Sequence, residues 1–283
     1  MRGKVVVLTG GTSGIGEAAA HKLAKMGVRL VLVARDARRA KETLKRLQKV
    51  SPGTAHTAHL VDLSLVADTR RVAREIAAAE PRIDALINNA GLISARRQVT
   101  AEGYELTFAT NHLAYFVLTL GLLPRLLASA PARIVNTASE VHRGAKLDFR
   151  DLQSQNGYSG FGVYAKSKLA NVLFTNELAR RLSGSGVTAN SLHPGVVASR
   201  FGLPREREGG DPSSVRFLSA HGISPEEGAE TIVYLASSAG LAHASGQYFN
   251  QSRAVKPSEE AQDRTVAEKL WEESERLGGV GTD

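Results

Sequence analysis

A tyrosine and a lysine lie four residues apart, at Tyr164 and Lys168, in a stretch with strong helical propensity. Residues at this spacing share one face of an α-helix, so the phenol and the ammonium would lie close together. A tyrosine has a reference pKa of about 10 and is a poor base at neutral pH, but a neighbouring cation lowers that pKa. The pair could therefore transfer a proton, although the same spacing also occurs by chance in helices that bury a tyrosine.

Other polar residues follow predicted strands. Ser139 comes after the apolar run Arg133–Thr137, and Asn88-Asn89-Ala90-Gly91 continues a run that ends at Ile87. Parallel α/β sheets bind ligands outside the carboxyl ends of their strands, so these segments are candidates for one site. Asn111 lies in an apolar stretch that we expect to form a buried helix.

A glycine-rich turn, Thr9–Gly16, lies between the apolar run Val5–Leu8 and the amphipathic segment Ile15–Met26. Three of its four glycines, Gly10, Gly14 and Gly16, carry the motif. They let the backbone turn tightly and approach a pyrophosphate, and the following helix points its N-terminal amides at the phosphates. A glycine-rich loop alone is weak evidence, but this one lies between a strand and a helix and therefore predicts a dinucleotide site.

The end of the second predicted strand indicates which dinucleotide binds. An acid at this position would bond the ribose 2′-hydroxyl of NAD, but Ala34 stands there and Arg35 follows. A guanidinium suits a 2′-phosphate, and Arg38 and Arg39 add positive charge. Asp36 is expected to cap the next helix. Arg35 either binds the phosphate or is an ordinary surface residue, and we favour NADP(H).

Short β-branched runs alternate with amphipathic stretches along the chain. The predicted strands are Val5–Leu8, Leu30–Ala34, Thr57–Val61, Ala85–Ile87, Arg133–Thr137 and Val187–Leu192. The stretches between them include Ile15–Met26, Ala37–Val50 and Leu65–Ala79. This alternation predicts parallel βαβ units, and therefore an α/β fold with a doubly wound parallel sheet in a single domain.

Three further segments complete the predicted architecture. The apolar stretch Leu113–Leu127 is interrupted by polar residues and a proline, which favours a buried helix. The irregular stretch Gly202–Ser214 predicts a loop near the site, within a substrate loop at about residues 196–224. The run Ser258–Leu277 predicts a C-terminal helical extension that Ser258 could cap.

Composition excludes several classes of site. The chain of 283 residues has no cysteine, which excludes disulfides, thiolate metal sites and a cysteine nucleophile. The histidines show no metal-ligand spacing, so no metal is expected. The net charge of +8 suggests nucleic-acid binding, but the basic residues are dispersed and no nucleic-acid motif is present. We therefore favour a basic surface that partly faces an anionic cofactor. No secretory segment or membrane anchor is predicted, and we expect a cytoplasmic protein.

In order along the chain, these motifs resemble the short-chain dehydrogenase/reductase family. The motifs are Thr-Gly-x-x-x-Gly-x-Gly at Thr9–Gly16, Asn-Asn-Ala-Gly at Asn88–Gly91, Asn111, Ser139 and Tyr164-x-x-x-Lys168. Asp62-Leu63 matches the family's adenine-contacting pair, and His193-Pro194-Gly195 matches its Pro-Gly turn. Ser199 stands where the family usually has a threonine that bonds the nicotinamide amide. The resemblance covers almost the whole chain and implies one NAD(P)-binding Rossmann-type domain over residues 1–283.

The resemblance implies a role for each catalytic position. Tyr164 would protonate a carbonyl oxygen or deprotonate an alcohol while hydride moves between substrate and nicotinamide. Ser139 would polarise the substrate oxygen, and Lys168 would bond the nicotinamide ribose and keep Tyr164 acidic. Asn111 would support a water that links Lys168 to solvent. The implied cofactor-binding residues are Gly10, Thr12, Ser13, Gly14, Ile15, Gly16, Arg35, Asp62, Leu63, Asn89, Ala90, Gly91, Tyr164, Lys168, Pro194, Gly195, Val197 and Ser199.

A narrower resemblance is to retinol dehydrogenases and their bacterial relatives. It rests on Thr110–Phe116, Lys168–Phe174, Ser191–Gly195 and the long separation between Ser139 and Tyr164. Because that branch acts on lipophilic alcohols and aldehydes, we predict a bulky apolar carbonyl substrate. The candidate pocket residues are Val196, Val197, Phe201, Leu203, Tyr158, Phe161 and Val163, although the aromatic ones could instead be core.

The family also implies a homodimer or homotetramer, formed through the helices that carry Asn111 and Tyr164. The alternative function is a dinucleotide-binding regulatory protein that has kept the fold and lost catalysis. All four catalytic positions are filled in this sequence, which argues against that alternative.

Overall fold

The computed structural model describes residues 1–197 and 222–281. An eight-stranded sheet forms its centre, in the order β3-β2-β1-β4-β5-β6-β7-β8. The strands are β1 (Val5–Thr9), β2 (Arg29–Ala34), β3 (Thr57–Leu60), β4 (Ala85–Asn88), β5 (Ala132–Thr137), β6 (Val187–His193), β7 (Tyr248–Asn250) and β8 (Arg253–Val255). All neighbouring pairs are parallel except β7 and β8.

Helices cover both faces of this sheet. They are α1 (Gly14–Lys25), α2 (Ala37–Val50), α3 (Val66–Ala79), α4 (Leu106–Ala128), α5 (Gly160–Arg181), α6 (Pro225–Gly228), α7 (Glu230–Ser237) and α8 (Arg264–Gly278). One core joins Val7 of β1 to Val72 of α3 and Phe116 of α4. A second joins Leu8 of β1 to Leu23 of α1, and a third joins Leu173 of α5 to Leu270 of α8. The predicted doubly wound, single-domain α/β fold is therefore confirmed.

The six predicted strands are all present, each within one residue of its predicted ends. Parallel strands covered on both faces appear as continuous apolar runs, and Val6, Val7 and Leu8 of β1 are each 0% exposed. The chain order reverses between β1 and β4, which are hydrogen-bonded neighbours. The loops after these two strands therefore face each other across the cleft where such sheets bind ligands.

Helix α4 is the buried helix predicted from the apolar stretch, and it begins earlier, at Leu106. Its length and composition would suffice to cross a bilayer, but 78% of its most apolar window is buried inside the protein. That burial is typical of the core helix of a globular domain. The helix widens into a π-turn at Ala109–Leu113, a feature that is rare and often found at functional sites.

The C-terminal helix differs from the prediction in its start and its cap. Helix α8 begins at Arg264, and Asp263 caps it by accepting a hydrogen bond from the Val266 amide at 3.1 Å. Ser258 does not cap α8, because its hydroxyl accepts from the Ala261 amide at 3.3 Å in a preceding short turn.

Helix α8 lies over the seam between α4 and α5. The Trp271 ring of α8 lies 4.9 Å from the Phe116 ring of α4 and 5.8 Å from the Phe174 ring of α5. Trp271 itself is only 2% exposed. The chain's own C-terminal helix therefore covers part of the face that α4 and α5 would otherwise present to solvent.

Candidate active site

The glycine-rich turn after β1 packs directly against the loop after β4. The Thr9 hydroxyl accepts hydrogen bonds from the backbone amides of Asn89, at 2.8 Å, and Ala90, at 2.9 Å. A Cβ on Gly10, which has a φ of +69°, would lie 2.9 Å from the Ala90 Cα. A Cβ on Gly16 would lie 2.3 Å from the Gly10 carbonyl oxygen. These glycines are therefore required by the close approach of backbone segments.

The N-terminus of α1 is open to a ligand. Gly14, with a φ of +53°, begins the helix, and the exposed residue before it, Ser13, makes no capping hydrogen bond with its side chain. The first amides of α1 and the positive end of its dipole are therefore available to an anion. Thr12, half-buried, completes the turn.

Arg35 lies exposed just beyond the end of β2. Its neighbour Asp36 caps α2 by accepting from the Arg39 amide at 2.9 Å, as predicted, and this bond lowers the pKa of Asp36. Arg38 pairs with Glu42 at 3.1 Å. Across residues 1–197 and 222–281, Arg35 has no hydrogen-bond or ion-pair partner. Arg35 therefore lies at the strand end with its guanidinium free of partners among the described residues.

Asp62 and Leu63 lie at the same edge of the sheet as Arg35. The amide of Val61 donates to the Ala34 carbonyl at 2.9 Å, which places the ends of β2 and β3 side by side. The Asp62 carboxylate accepts from the amide and the hydroxyl of Ser64, at 3.0 and 2.8 Å. Both predicted adenine-contacting residues thus follow β3 in a fixed turn.

The turn after β6 lies close to the start of α1. Gly195 has a φ of +92°, and a Cβ there would lie 2.5 Å from the Ile223 side chain. A Cβ on Gly228 would lie 2.7 Å from Val197 and 2.8 Å from Ile15, so these two predicted cofactor-binding residues converge. The predicted cofactor-binding residues of the turn are Pro194, Gly195, Val197 and Ser199. Ser199 lies outside the described residues.

Three of the predicted catalytic residues meet between β5 and α5. Ser139 lies beside Tyr164, and its side chain acts to lower the pKa of the phenol. The Lys168 ammonium lies 5.6 Å from the centroid of the Tyr164 ring and donates to the Thr137 carbonyl at 2.9 Å. Because Tyr164 and Lys168 share one face of α5, the helix directs both toward the end of β5.

Asn111 is linked to the loop after β4 through Leu92 and to Tyr164 through Ser167. Its side chain accepts from the Leu92 amide at 2.8 Å and donates to the Leu92 carbonyl at 2.9 Å. It also donates to the Ser167 hydroxyl at 3.0 Å, which in turn donates to the Tyr164 carbonyl at 2.7 Å. The sequence did not identify Ser167, because its contact with Asn111 joins residues 56 positions apart.

Tyr115 is a second residue that sequence reasoning missed. Its hydroxyl donates to the Ala90 carbonyl at 2.8 Å, and the Lys168 ammonium lies 5.7 Å from the centroid of its ring. A Cβ on Gly91 would lie 3.2 Å from the side-chain oxygen of Asn111 and 3.7 Å from the Lys168 ammonium nitrogen. The Asn-Asn-Ala-Gly loop is therefore held against the predicted catalytic residues by α4.

Burial dominates the electrostatics of the site. It raises the pKa of Tyr164 to about 12, although the Ser139 hydrogen bond opposes the shift. Burial also lowers the pKa of Lys168 to about 7, so the lysine carries its charge only part of the time at neutral pH. In the protein alone, burial therefore outweighs any effect of Lys168 on the Tyr164 pKa. The expected lowering of that pKa, which also involves the positive charge of oxidised nicotinamide, stays a prediction.

The predicted pocket residues divide into core and surface. Phe161, on the first turn of α5, is 63% exposed and is not core, and Val196 is 55% exposed. Val163 is buried, and Tyr158 is held by a 2.9 Å hydrogen bond to the Ser94 carbonyl. Phe201 and Leu203, which were also assigned to the pocket, lie outside the described residues.

Within residues 1–197 and 222–281, no group of three histidine, aspartate or glutamate residues could hold a metal ion. The titratable groups nearest the cleft are instead the tyrosine and lysine of α5. The arrangement can therefore exchange a proton with a bound oxygen, beside a glycine-rich turn suited to phosphates.

Comparison with known proteins gives a consistent result. Residues 4–208 match a family described as short chain dehydrogenase. Retinol dehydrogenase 14 from Homo sapiens is 39% identical over 298 residues, which cover 99% of this chain and 88% of that protein.

Solved structures match the fold of this chain over most of its length. A protein from Mycobacterium paratuberculosis has a TM-score of 0.78 and 29% identity, and the match covers 100% of this chain and 96% of that one. A protein named as an NAD(P)-dependent gluconate 5-dehydrogenase, from Beutenbergia cavernae, has a TM-score of 0.72 and 29% identity. That match covers 89% of this chain and 96% of the other, whose structure contains NADP at low occupancy.

Proposed function

Because this chain belongs to the short-chain dehydrogenase family and is similar to retinol dehydrogenases, we propose that it is an NADP(H)-dependent oxidoreductase. It interconverts an aldehyde or ketone and an alcohol by hydride transfer. The observation that carries this proposal is the convergence of Ser139, Tyr164 and Lys168, with the Lys168 ammonium 5.6 Å from the Tyr164 ring, at the edge of the sheet where ligands bind.

The residues present fit a dinucleotide phosphate. The uncapped amides of α1, reached through the turn at Gly10 and Gly16, suit the pyrophosphate. Arg35 is exposed and has no partner among the described residues, so its guanidinium can take the 2′-phosphate. Asp62 and Leu63, at the neighbouring strand end, would hold the adenine. NADP(H), when bound, supplies the hydride and, in its oxidised form, a positive charge.

Tyr164 acts as the general acid in carbonyl reduction. With a pKa of about 12, its phenol holds a proton at neutral pH and can give it to the substrate oxygen. The Ser139 hydroxyl, beside that phenol, hydrogen-bonds the same oxygen and polarises the carbonyl. Lys168 orients the nicotinamide ribose, and Asn111 supports the proton supply to Lys168. Oxidation of an alcohol needs tyrosinate and therefore a further positive charge near the phenol.

The substrate we propose is a bulky, apolar carbonyl compound. Phe161 lies three residues before Tyr164 and Val196 directly follows Gly195, and both expose apolar side chains on which an apolar substrate can pack. Burying such surface contributes about 25 cal/mol per Å². The named substrate of the retinol dehydrogenase relatives is also lipophilic.

We infer that any homo-oligomer does not form through the seam of α4 and α5 alone, because α8 already occupies part of it. We also propose a cytoplasmic location, supported by the burial of 78% of the apolar window of α4. Sedimentation velocity and cell fractionation test these two proposals.

The central experiment measures cofactor oxidation with a series of straight-chain aldehydes, with NADPH and NADH in parallel. We expect turnover with NADPH and a kcat/KM that rises with chain length. A flat or falling trend contradicts the apolar substrate and leaves the reaction class intact. Cofactor binding without turnover across a wide panel of aldehydes, ketones and quinones would instead favour the silent regulatory protein.

A further inference from the structure

Two buried histidines lie beside predicted catalytic residues and have no part in the proposed chemistry. His142 ends the short turn Glu140–His142, which follows Ser139. His112 follows Asn111 in the π-turn of α4. Each of the two side chains is 0% exposed. A buried polar ring needs hydrogen-bond partners, and these partners show what each ring does.

His142 bridges the Ser139 turn to the C-terminal part of the chain. Its Nδ1 lies 2.7 Å from the Ser139 carbonyl oxygen, and its Nε2 lies 3.1 Å from the Ser258 amide nitrogen. A carbonyl only accepts and an amide only donates, so the ring carries its proton on Nδ1 and is neutral. Burial lowers the pKa of His142, which favours that neutral form. The ring also packs edge-on against Tyr248, with centroids 4.8 Å apart.

His112 makes a single connection from the π-turn, because its buried Nδ1 has no hydrogen-bond partner among the described residues. Its Nε2 lies 2.8 Å from the Ser274 hydroxyl oxygen in α8. The Ser274 hydroxyl donates to the Leu270 carbonyl at 2.7 Å, so it accepts the proton of His112 Nε2. Burial lowers the pKa of His112 to about 4, and this ring is also neutral at physiological pH.

Both serines belong to one stretch, residues 256–279, which we call the C-terminal segment. The segment is attached to the body of the protein at other points as well. Tyr104 donates to the Leu277 carbonyl at 2.9 Å, and Asn176 donates to the Ala261 carbonyl at 2.8 Å. The two histidine contacts adjoin predicted catalytic positions, and Arg143, next to His142, adds a third contact by donating to the Lys256 carbonyl at 2.7 Å.

We propose that the C-terminal segment is a positioning element for the active site, acting on Ser139 through His142 and on Asn111 through His112. Within its own turn the Ser139 hydroxyl makes only a long 3.5 Å contact, with the Val141 amide, so the path of the backbone helps to fix its position. His142 holds that backbone at the Ser139 carbonyl. The proposal rests on the proposed function for the meaning of these positions, whereas the contacts themselves are independent of it.

Three variants test the two connections. His142→Phe keeps an aromatic ring against Tyr248 and removes both hydrogen bonds. His142→Asn places an amide donor near the position of Nδ1 and restores the bond to Ser139. Ser274→Ala removes the partner of His112. Small displacements of catalytic groups are costly, so we expect about a tenfold loss of kcat for His142→Phe and about threefold for Ser274→Ala. The KM for NADPH should change less than about twofold, and His142→Asn should recover most of the kcat.

Tyr104→Phe is the matched control, because it removes a bond of similar length to the same segment away from the catalytic residues. It should lower Tm as the test variants do and leave kcat unchanged. Amide hydrogen exchange at residues 139–143, read by mass spectrometry, supplies a measurement that needs no activity. Exchange there should accelerate in His142→Phe and not in Tyr104→Phe.

The outcomes separate the two proposals. If the wild type turns over no carbonyl compound, the proposed function fails, and the exchange measurement alone decides whether the segment holds the Ser139 turn. If His142→Phe does not fold, His142→Asn and Ser274→Ala carry the test. The positioning role is overturned if the test variants lower Tm but keep the wild-type kcat and exchange pattern, since the histidines would then serve stability only.

Discussion

The nucleotide end and the catalytic end of the cleft present different kinds of groups to a ligand. At the nucleotide end, the ligand-facing groups are backbone amides of a glycine turn and one exposed cation, Arg35. At the catalytic end they are buried side chains that bond to one another or to the backbone, such as Asn111, Ser139 and Lys168. The first end can be altered without disturbing the core, whereas the second is part of the core.

This difference has an energetic basis. Lys168 is 3% exposed and Asn111 is 0% exposed, so removing either leaves buried partners without a hydrogen bond. Each such unsatisfied group costs about 1–3 kcal/mol. Arg35, in contrast, is already solvated. Substitutions at the catalytic end should therefore mix effects on stability and chemistry, unless the replacement keeps the shape of the side chain.

Tyr164→Phe is the substitution that keeps shape, and it should have the largest effect. The ring stays in place, but the proton for the substrate oxygen is lost. We expect turnover to fall by at least about 10²-fold, the lower end of what general acid–base catalysis contributes. The dissociation constant of NADPH, measured by fluorescence titration, should change little. Tyr234→Phe, on the opposite face of the sheet, is the control, and near-normal turnover in Tyr164→Phe would remove Tyr164 from its role.

Arg35→Ala should show the reverse pattern, a change in binding without one in stability. We expect NADPH binding to weaken by about 1.5–3 kcal/mol, as for a hydrogen bond to a charged group, while NADH binding and Tm stay unchanged. Lys41→Ala, an exposed cation further along α2, controls for general loss of positive charge. An equal loss for both cofactors would show that Arg35 does not bind the 2′-phosphate.

The same contrast explains what could be predicted from sequence. The nucleotide end depends on local patterns: six apolar strands, a glycine turn and a helix cap at Asp36 each have a signature within a few residues. These were predicted correctly. The strands β7 and β8 were missed because each has three residues and β8 is exposed along its length.

The support of the catalytic end could not be predicted, because its contacts join distant parts of the chain. His112 and Ser274 are 162 positions apart, and His142 and Ser258 are 116 apart. No periodicity or local motif encodes such a pair. The pKa shifts of the site also depend on distant parts of the chain. A four-residue spacing places Lys168 beside Tyr164, but it does not show that burial determines the pKa of each residue.

Gly16→Ala is an exception to this contrast, because at Gly16 the nucleotide end has no space for a side chain. In an ordinary helix this change would stabilise the protein by about 0.4–1 kcal/mol. Here the new Cβ would lie 2.3 Å from the Gly10 carbonyl oxygen and 2.5 Å from the side-chain nitrogen of Asn89. Backbone must shift to relieve that contact, so we expect a net loss of about 1–3 kcal/mol in the free energy of unfolding.

The turn that shifts is the one that holds the phosphates, so Gly16→Ala should weaken NADPH and NADH equally, unlike Arg35→Ala. Urea denaturation and cofactor titration measure the two effects. Gly240→Ala is the matched control, since a Cβ there meets only the Ser238 hydroxyl at 3.8 Å. If Gly16→Ala keeps both stability and cofactor affinity, the glycine turn is more adaptable than its contacts indicate, and the nucleotide end tolerates substitution throughout.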